Sequence, residues 1–300
     1  MIGSRPRRAA AMLVPALAAC AVAAGCGSSG SGSSTTATVG PLAQAADVTA
    51  KAGGAQVALT GNVQESQAGL NLALSGHGSF NFTNHEGSFA LSFAGLPASV
   101  LQRLGASSFA MTEVFKSGVV YMQAPFFAGK LPQGAKWIKL DLAKAGQDLG
   151  LSPSALTSGG SDPSEYLREL RATGTDVQVV GHEALRGVET TRYKASVELK
   201  KALEQQGHMS SSAASAALKR LSSVLGSQSL PVEAWVDGKG LLRKLAIKTS
   251  EKVAAVPLSL DIGIEYFNFG PTPPVNVPAA SETYDATNLT SKGLAGAAGL

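Results

Sequence analysis

Apolar and polar residues alternate with a period of two along much of the chain. The alternation is cleanest over Leu258–Tyr266, and it also runs through Leu70–Phe82 and Phe89–Phe93. Turn sequences such as Asn84–Gly87 and Asp237–Gly240 separate the runs. This pattern is typical of antiparallel strands that bury one face, and a long sheet of this kind curls or closes. It predicts an α+β fold with a single curved antiparallel half-barrel sheet of about ten strands and a few helices across its concave face.

Helical spacing of apolar residues replaces the alternation in a few places. It predicts short helices over residues 41–52 and 97–104, each followed by glycine. Further helices are predicted over residues 141–149 and 211–225. A capping sequence at Asp162 predicts another, which ends before Gly174.

The first 25 residues have the layout of a secretory signal peptide. Arg5, Arg7 and Arg8 precede the apolar run Ala9–Ala24, and small residues follow. The run spans about 16 residues and is rich in alanine, whereas a membrane-spanning helix needs roughly 20 apolar residues. We therefore predict a signal peptide over residues 1–25.

The residues before Cys26 resemble the bacterial lipobox, in which small residues precede a cysteine that becomes acylated. Cleavage there leaves a complete apolar core upstream and a Gly/Ser-rich tether over residues 26–39. Cys20 is the alternative, because the preceding Leu17 fits the motif better. An ordinary cleaved signal with neither cysteine modified is a further alternative. We favour Cys26, which implies an exported protein held by lipid at the outer face of the cytoplasmic membrane.

One β-rich domain is expected over residues 40–290, because no repeat or linker divides this part of the chain. Its tail from Pro271 is rich in proline and is expected to lie along the surface, and residues 291–300 are predicted to be flexible. Cys20 and Cys26 are the only cysteines. The domain therefore has no disulfide, and its stability must come from a hydrophobic core.

Charge and motifs argue against nucleic-acid binding and catalysis. The formal net charge is +4, and three of the 25 basic residues lie in the signal peptide. No long basic cluster follows, so we expect no nucleic-acid partner. We also expect a monomer. The histidines are scattered, and no nucleophile elbow or phosphate-binding loop occurs. We therefore expect that the protein is not an enzyme and binds no metal and no cofactor. The four histidines are His77, His85, His182 and His208.

The chain after the tether contains a series of short sequence patterns: Tyr121-Met122, Lys136–Lys139, Asp162-Pro163, Gly181–Glu183, Val188–Tyr193 and Val232–Asp237. Together with the order of the elements, these patterns resemble the LolA-like fold, and specifically the actinobacterial LprG/LppX lipid-binding lipoproteins. The resemblance covers nearly all of the chain after the tether. It implies a half-open barrel whose cavity accepts the acyl chains of lipids or glycolipids.

Inward-facing apolar positions are the candidates for the cavity lining, although such rows can also form solid core. Phe126 and Phe127 form a pair in a loop rich in proline and glycine. They are candidates for the cavity rim, and the alternative is that they pack inward. The lining candidates are Leu70, Leu72, Leu74, Phe89, Leu91, Phe93, Phe109 and Met111.

Two functions follow from these patterns. The first is a membrane-anchored envelope lipoprotein that binds and carries acyl-chain lipid or glycolipid in a hydrophobic cavity, with an envelope transporter or another protein as a further partner. The alternative is a non-catalytic lipoprotein module with a filled core that binds another envelope protein.

Overall fold

The structure, a computed structural model, describes residues 40–65, 69–144, 174–199, 215, 229–253 and 256–287. Its helices are α1 (Gly40–Ala50) and α2 (Ala98–Leu104). The predicted fold class is confirmed, with twelve strands in one sheet where about ten were expected. The strands are β1 (Gly54–Glu65), β2 (Leu70–Asn81), β3 (Glu86–Ala94), β4 (Phe109–Lys116), β5 (Val119–Gln123), β6 (Trp137–Asp141), β7 (Gly174–Leu185), β8 (Val188–Glu198), β9 (Ser229–Asp237), β10 (Leu242–Val253), β11 (Val256–Phe267) and β12 (Thr283–Asp285).

Several predictions fall on residues that the structure does not describe. They are the signal peptide, the tether with Cys20 and Cys26, most of the helix predicted over 141–149, the helix that begins at Asp162, the helix predicted over 211–225 (apart from residue 215), and the tail over 291–300.

The sheet consists of two antiparallel meanders, β1–β6 and β7–β11. Its strand order is β12-β6-β5-β4-β3-β2-β1-β11-β10-β9-β8-β7. The meanders join where β1 pairs with β11, with Val57 opposite Tyr266 and Leu59 opposite Ile264. The apolar phases of both strands therefore share one face of the sheet. We call this the inner face and the opposite one the outer face.

Helix α1 packs on the inner face of the sheet. Leu42 and Ala45 of α1 are 1% and 0% exposed, and they belong to one buried cluster that draws on both meanders, with members such as Phe80 of β2 and Leu242 of β10. Thr49 adds a polar contact, because its Oγ1 accepts a hydrogen bond of 2.9 Å from the backbone N–H of Leu242. Tight packing closes the part of the inner face that lies under α1, while inward-facing isoleucines of β10 and β11 are only half-buried.

The outer face of the second meander carries charged and aromatic side chains. Trp235 lies between two cations, with Arg192 and Lys244 each 5.2 Å from the ring centroid. Its Nε1–H donates a 2.9 Å hydrogen bond to the Glu183 carboxylate. The hydrogen bond and the two cation–π contacts stabilise the Trp235 ring on the polar face of the sheet. An apolar surface for a ligand is therefore expected on the inner face.

The β9–β10 hairpin is held by a buried carboxylate. Oδ1 of Asp237 accepts hydrogen bonds of 2.9 Å from the backbone N–H groups of Lys239 and Leu241. Its Oδ2 accepts a 2.8 Å bond from Nε of Arg243, whose side chain is 16% exposed against 2% for Asp237. One carboxylate therefore satisfies both the turn and a largely buried guanidinium.

The chain after β11 crosses the outer face of the first meander. Gly270 donates its N–H to the carbonyl of Gly54, and Lys116 Nζ donates to the carbonyl of Val275. The segment ends as β12, which pairs in parallel with the edge strand β6 and was not predicted. Hydrogen bonds from Lys139, at 2.7 Å, and from Thr287 lower the pKa of Asp285 to about 2. An edge of the sheet is thereby covered.

Candidate functional site

The first meander presents an incompletely covered apolar surface on its inner face. Leu72 of β2 is 6% exposed. Leu74 of β2 and the inward-facing side chains of β3 and β4 are only half-buried. This contrasts with the cluster under α1, in which the side chains of α1 and of the strands are buried. We call this surface the apolar wall; it consists of Leu72, Leu74, Phe89, Leu91, Phe93, Phe109 and Met111.

One end of the apolar wall forms a pocket. Its volume is about 20 Å³, close to the room that one water molecule needs. Half of the predicted lining residues meet here, together with others that the sequence did not single out. The pocket is lined by Gly61, Val63, Leu72, Leu74, Phe93, Leu96, Phe109 and Ile262.

Glycines on β1 and β2 make room for the leucines of the wall. A Cβ atom on Gly76 would lie 2.6 Å from Cδ2 of Leu91, and one on Gly61 would lie 3.2 Å from Cβ of Leu74. Any larger residue would push these leucines aside. The shape of the wall therefore depends on the missing side chains of these glycines as well as on its apolar residues.

The remaining predicted lining residues lie further along the wall. Leu91 pairs with Met111 across β3 and β4, beyond the pocket. Phe89 follows in the next row and contacts Phe115 edge to face, with ring centroids 6.0 Å apart. Leu70 is placed opposite Glu65 by the backbone register, but its side chain is not among those described.

Phe126 and Phe127 extend the wall at the pocket end. They lie in the 3-10 turn Pro125–Phe127 and are both half-buried. The Phe126 ring stacks on Phe109 at 4.9 Å, and Phe109 meets Phe93 edge to face at 5.0 Å. Phe127 contacts Phe126 at 4.5 Å. Phe126 thus packs inward against a lining residue, and such aromatic pairs add stability beyond the area they bury.

Glu113 interrupts the apolar wall, and sequence analysis did not single it out. It shares the inward phase of β4 with Phe109, Met111 and Phe115. Its neighbours in register are Phe89 on β3 and Met122 on β5. The signal was present in the sequence as an acidic residue at a position where the alternation demands an apolar one.

Burial changes the acidity of Glu113. Desolvation raises the pKa of its carboxyl from the ordinary 4.5 to about 7. No hydrogen bond or ion pair joins it to another described residue. Because the folded-state pKa is raised, ionisation of Glu113 costs folding free energy. The free energy of unfolding is therefore higher at low pH, and this contribution is lost as the pH rises through about 7.

The described histidines do not form a site. His77 lies on β2, His85 in the turn after it and His182 on β7, while His208 is outside the described residues. Within the described ranges, no three His, Cys, Asp or Glu side chains come close enough to hold a metal ion. In the same ranges, neither helix has the length and apolar character to cross a bilayer.

No family model matches this chain. It is 27% identical over 260 residues to an uncharacterized 31.2 kDa protein in the rplA-rplJ intergenic region of Streptomyces griseus, which covers 84% of this chain and 81% of that protein. Among solved structures it is similar to the lipoprotein LppX of Mycobacterium tuberculosis, with 14% identity and a TM-score of 0.43 over 81% of this chain and 100% of LppX. LprF of Mycobacterium bovis has 12% identity and a TM-score of 0.41, over 80% and 97% of the two chains. LppX is also one of the lipoproteins that the sequence pattern resembles.

Proposed function

We propose that this protein is a membrane-anchored envelope lipoprotein that binds and carries acyl-chain lipid or glycolipid on the inner face of its sheet. The observation that carries the proposal is the uneven covering of that face. The side chains packed under α1 are buried, whereas most side chains of the apolar wall remain half-buried around a pocket. A contiguous apolar surface of this kind favours an apolar ligand.

The wall offers an acyl chain a path longer than the pocket itself. Phe109 and Glu113 are four residues apart on β4, which corresponds to roughly 13 Å along an extended strand. Leu91 and Met111 lie between the two ends, and methionine adapts its shape readily. A chain could therefore enter at the pocket and lie along the wall as these side chains shift.

Transfer energetics suit a carrier. Each methylene removed from water gains about 0.8 kcal/mol. A chain that moves from a bilayer to an apolar wall leaves one apolar environment for another, so this gain nearly cancels. The protein can then load and release lipid without trapping it, and contacts with the polar headgroup decide which lipid is taken. The role requires no chemistry on the ligand.

The lipid anchor is the second part of the proposal. Acylation of Cys26 would hold the protein at the outer face of the cytoplasmic membrane, and the Gly/Ser-rich residues after it would give the domain reach. The domain would then meet its ligand at the membrane surface. An envelope transporter could receive or supply the lipid there.

Filling the pocket tests the binding site. We expect Leu74→Trp to lower bound lipid at least about fivefold, because the indole occupies the free space while the half-buried position tolerates added volume. Lipid is measured by mass spectrometry of the purified full-length chain. Ala73→Trp is the matched control, because Ala73 is exposed on the outer face.

The pair of variants separates the two candidate functions. Loss of lipid in Leu74→Trp alone, with an unchanged melting temperature, supports the carrier. Equal lipid in both variants would contradict the pocket as the binding site. Absence of lipid from the unaltered protein would favour a module that binds another envelope protein.

A further inference from the structure

The feature that remains unexplained is the carboxyl group of Glu113 on an otherwise apolar wall. It faces Phe89 and Met122 across the two neighbouring strands, and Ile138 of β6 follows Met122 in the same row. A packed core gains nothing from an acid at this position, because burying a carboxyl that has no partner among the described residues costs free energy. A site that must contact a polar atom of its ligand has a use for one.

The strands that form and flank the wall present no positive charge to it within the part of the chain that the structure describes. The inward-facing positions of β1–β6 and β11 carry no lysine or arginine among the described residues. Glu65 is a second inward-facing acid, buried at the end of β1. Among the described inward-facing residues of these strands, an anionic headgroup on the wall would therefore meet the carboxyl group of Glu113 and no cation.

The charged and titratable residues of the surrounding strands lie on the other face. Across the strands around Glu113, they are in the outward phase of the alternation. The Pro125–Phe127 turn, which also contacts β4, carries no charge. The outward-facing residues are His77 on β2, Glu86 on β3, Lys116 on β4, Tyr121 on β5, and Lys139 and Asp141 on β6.

We propose that Glu113 makes the wall selective for uncharged acyl lipids over anionic ones. Its protonated carboxyl donates a hydrogen bond to an ester carbonyl or hydroxyl oxygen of the ligand. Its ionised form repels a phosphate or carboxylate headgroup. This inference rests on the proposed lipid-binding function and adds the class of headgroup that the site accepts.

The selectivity depends on pH in a defined direction. A ligand that covers Glu113 removes more water from the carboxyl and raises its pKa further above the value of about 7 in the free site. Binding of an uncharged lipid is then accompanied by proton uptake. Its affinity is full below pH about 7 and falls as the pH rises, by up to about tenfold per pH unit.

Two labelled probes that differ only in the headgroup test the proposal. Diacylglycerol and phosphatidylglycerol, each with a fluorescent acyl chain, are titrated into the full-length protein at pH 6 and pH 8.5. We expect the affinity of the unaltered protein for diacylglycerol to fall about tenfold or more between these pH values. For Glu113→Gln the affinity should stay constant, and phosphatidylglycerol should bind about tenfold more tightly than to the unaltered protein at pH 8.5.

Glu86→Gln is the matched control, since Glu86 is a carboxylate of the same meander on the outer face. It should keep the pH dependence of the unaltered protein. The same pH dependence and the same headgroup preference in Glu113→Gln and the unaltered protein would overturn the selectivity role and leave lipid binding intact. Failure of the unaltered protein to bind either probe at either pH would overturn the proposed function itself, whereas binding of phosphatidylglycerol alone would overturn the selectivity role. Melting curves of both variants verify that they are folded.

Discussion

Replacement of Asp237 by alanine is expected to lower the free energy of unfolding by about 3–5 kcal/mol, the usual cost of breaking a buried ion pair from one side. The substitution leaves the guanidinium of Arg243 largely buried without its carboxylate. It also removes the acceptor for the N–H groups of Lys239 and Leu241 in the β9–β10 turn. Natural domains have only about 5–15 kcal/mol in total, so a large part of the stability would be lost.

Urea titration monitored by circular dichroism measures this effect. Asp261→Ala is the matched control, because Asp261 pairs with Lys248 at 2.8 Å while both side chains are largely exposed. Its unfolding midpoint should stay close to that of the unaltered protein. Equal losses in the two variants would show that the Asp237 contacts do not hold the hairpin as described.

Replacement of Cys26 by serine is expected to move the protein from the membrane fraction to the soluble exported fraction. Serine cannot form the thioether that carries the lipid, and without acyl chains the tether has no hold on the bilayer. The expected shift is nearly complete, because stable anchoring needs two acyl chains at about 0.8 kcal/mol per buried methylene. Fractionation of cells that express the full-length chain, followed by immunoblotting, measures it.

Cys20→Ser is the companion variant, since Cys20 is the alternative lipidation site. It should leave the protein in the membrane fraction if Cys26 carries the lipid. The reverse pattern would assign the anchor to Cys20. Release by neither substitution would contradict the lipid anchor at both positions.

The strands could be predicted because their inner face imposes a period of two on the sequence. Leu72, Leu74, Phe93 and Phe109 lie together in the structure, and all four were identified from that period alone. Alternation also predicted that Phe93 and Phe109 lie on the same face of the sheet, and the register of β3 and β4 places these two residues opposite each other. Where one face of a sheet is buried, sequence and register constrain each other.

Other features leave a weaker mark on the sequence. Strand β12 has only three residues, and its parallel pairing with β6 relies on backbone hydrogen bonds and the Lys139–Asp285 contact. A polar, proline-rich tail gives no periodic signal for such a strand. Gly61 and Gly76 shape the wall by what they lack, and only the structure shows which side chains fill that space.

Glu113 is the residue that the alternation alone did not bring out. The apolar residues around it at 109, 111 and 115 predict a strand, and the acid between them interrupts their row. Its phase places it inside, and its burial raises the pKa of the carboxyl to about 7. An acidic residue in the buried phase of a strand therefore marks a candidate functional position that can be found in the sequence itself.

The central claim is that the apolar wall of the first meander holds an acyl chain. Mass spectrometry of lipid extracted from the purified full-length protein, quantified against protein, tests it most directly. We expect acyl lipid in a stoichiometric amount, with uncharged lipids enriched over anionic ones relative to the membrane of origin. Protein that is folded yet carries only traces of lipid, in the same proportions as the membrane, would contradict the claim.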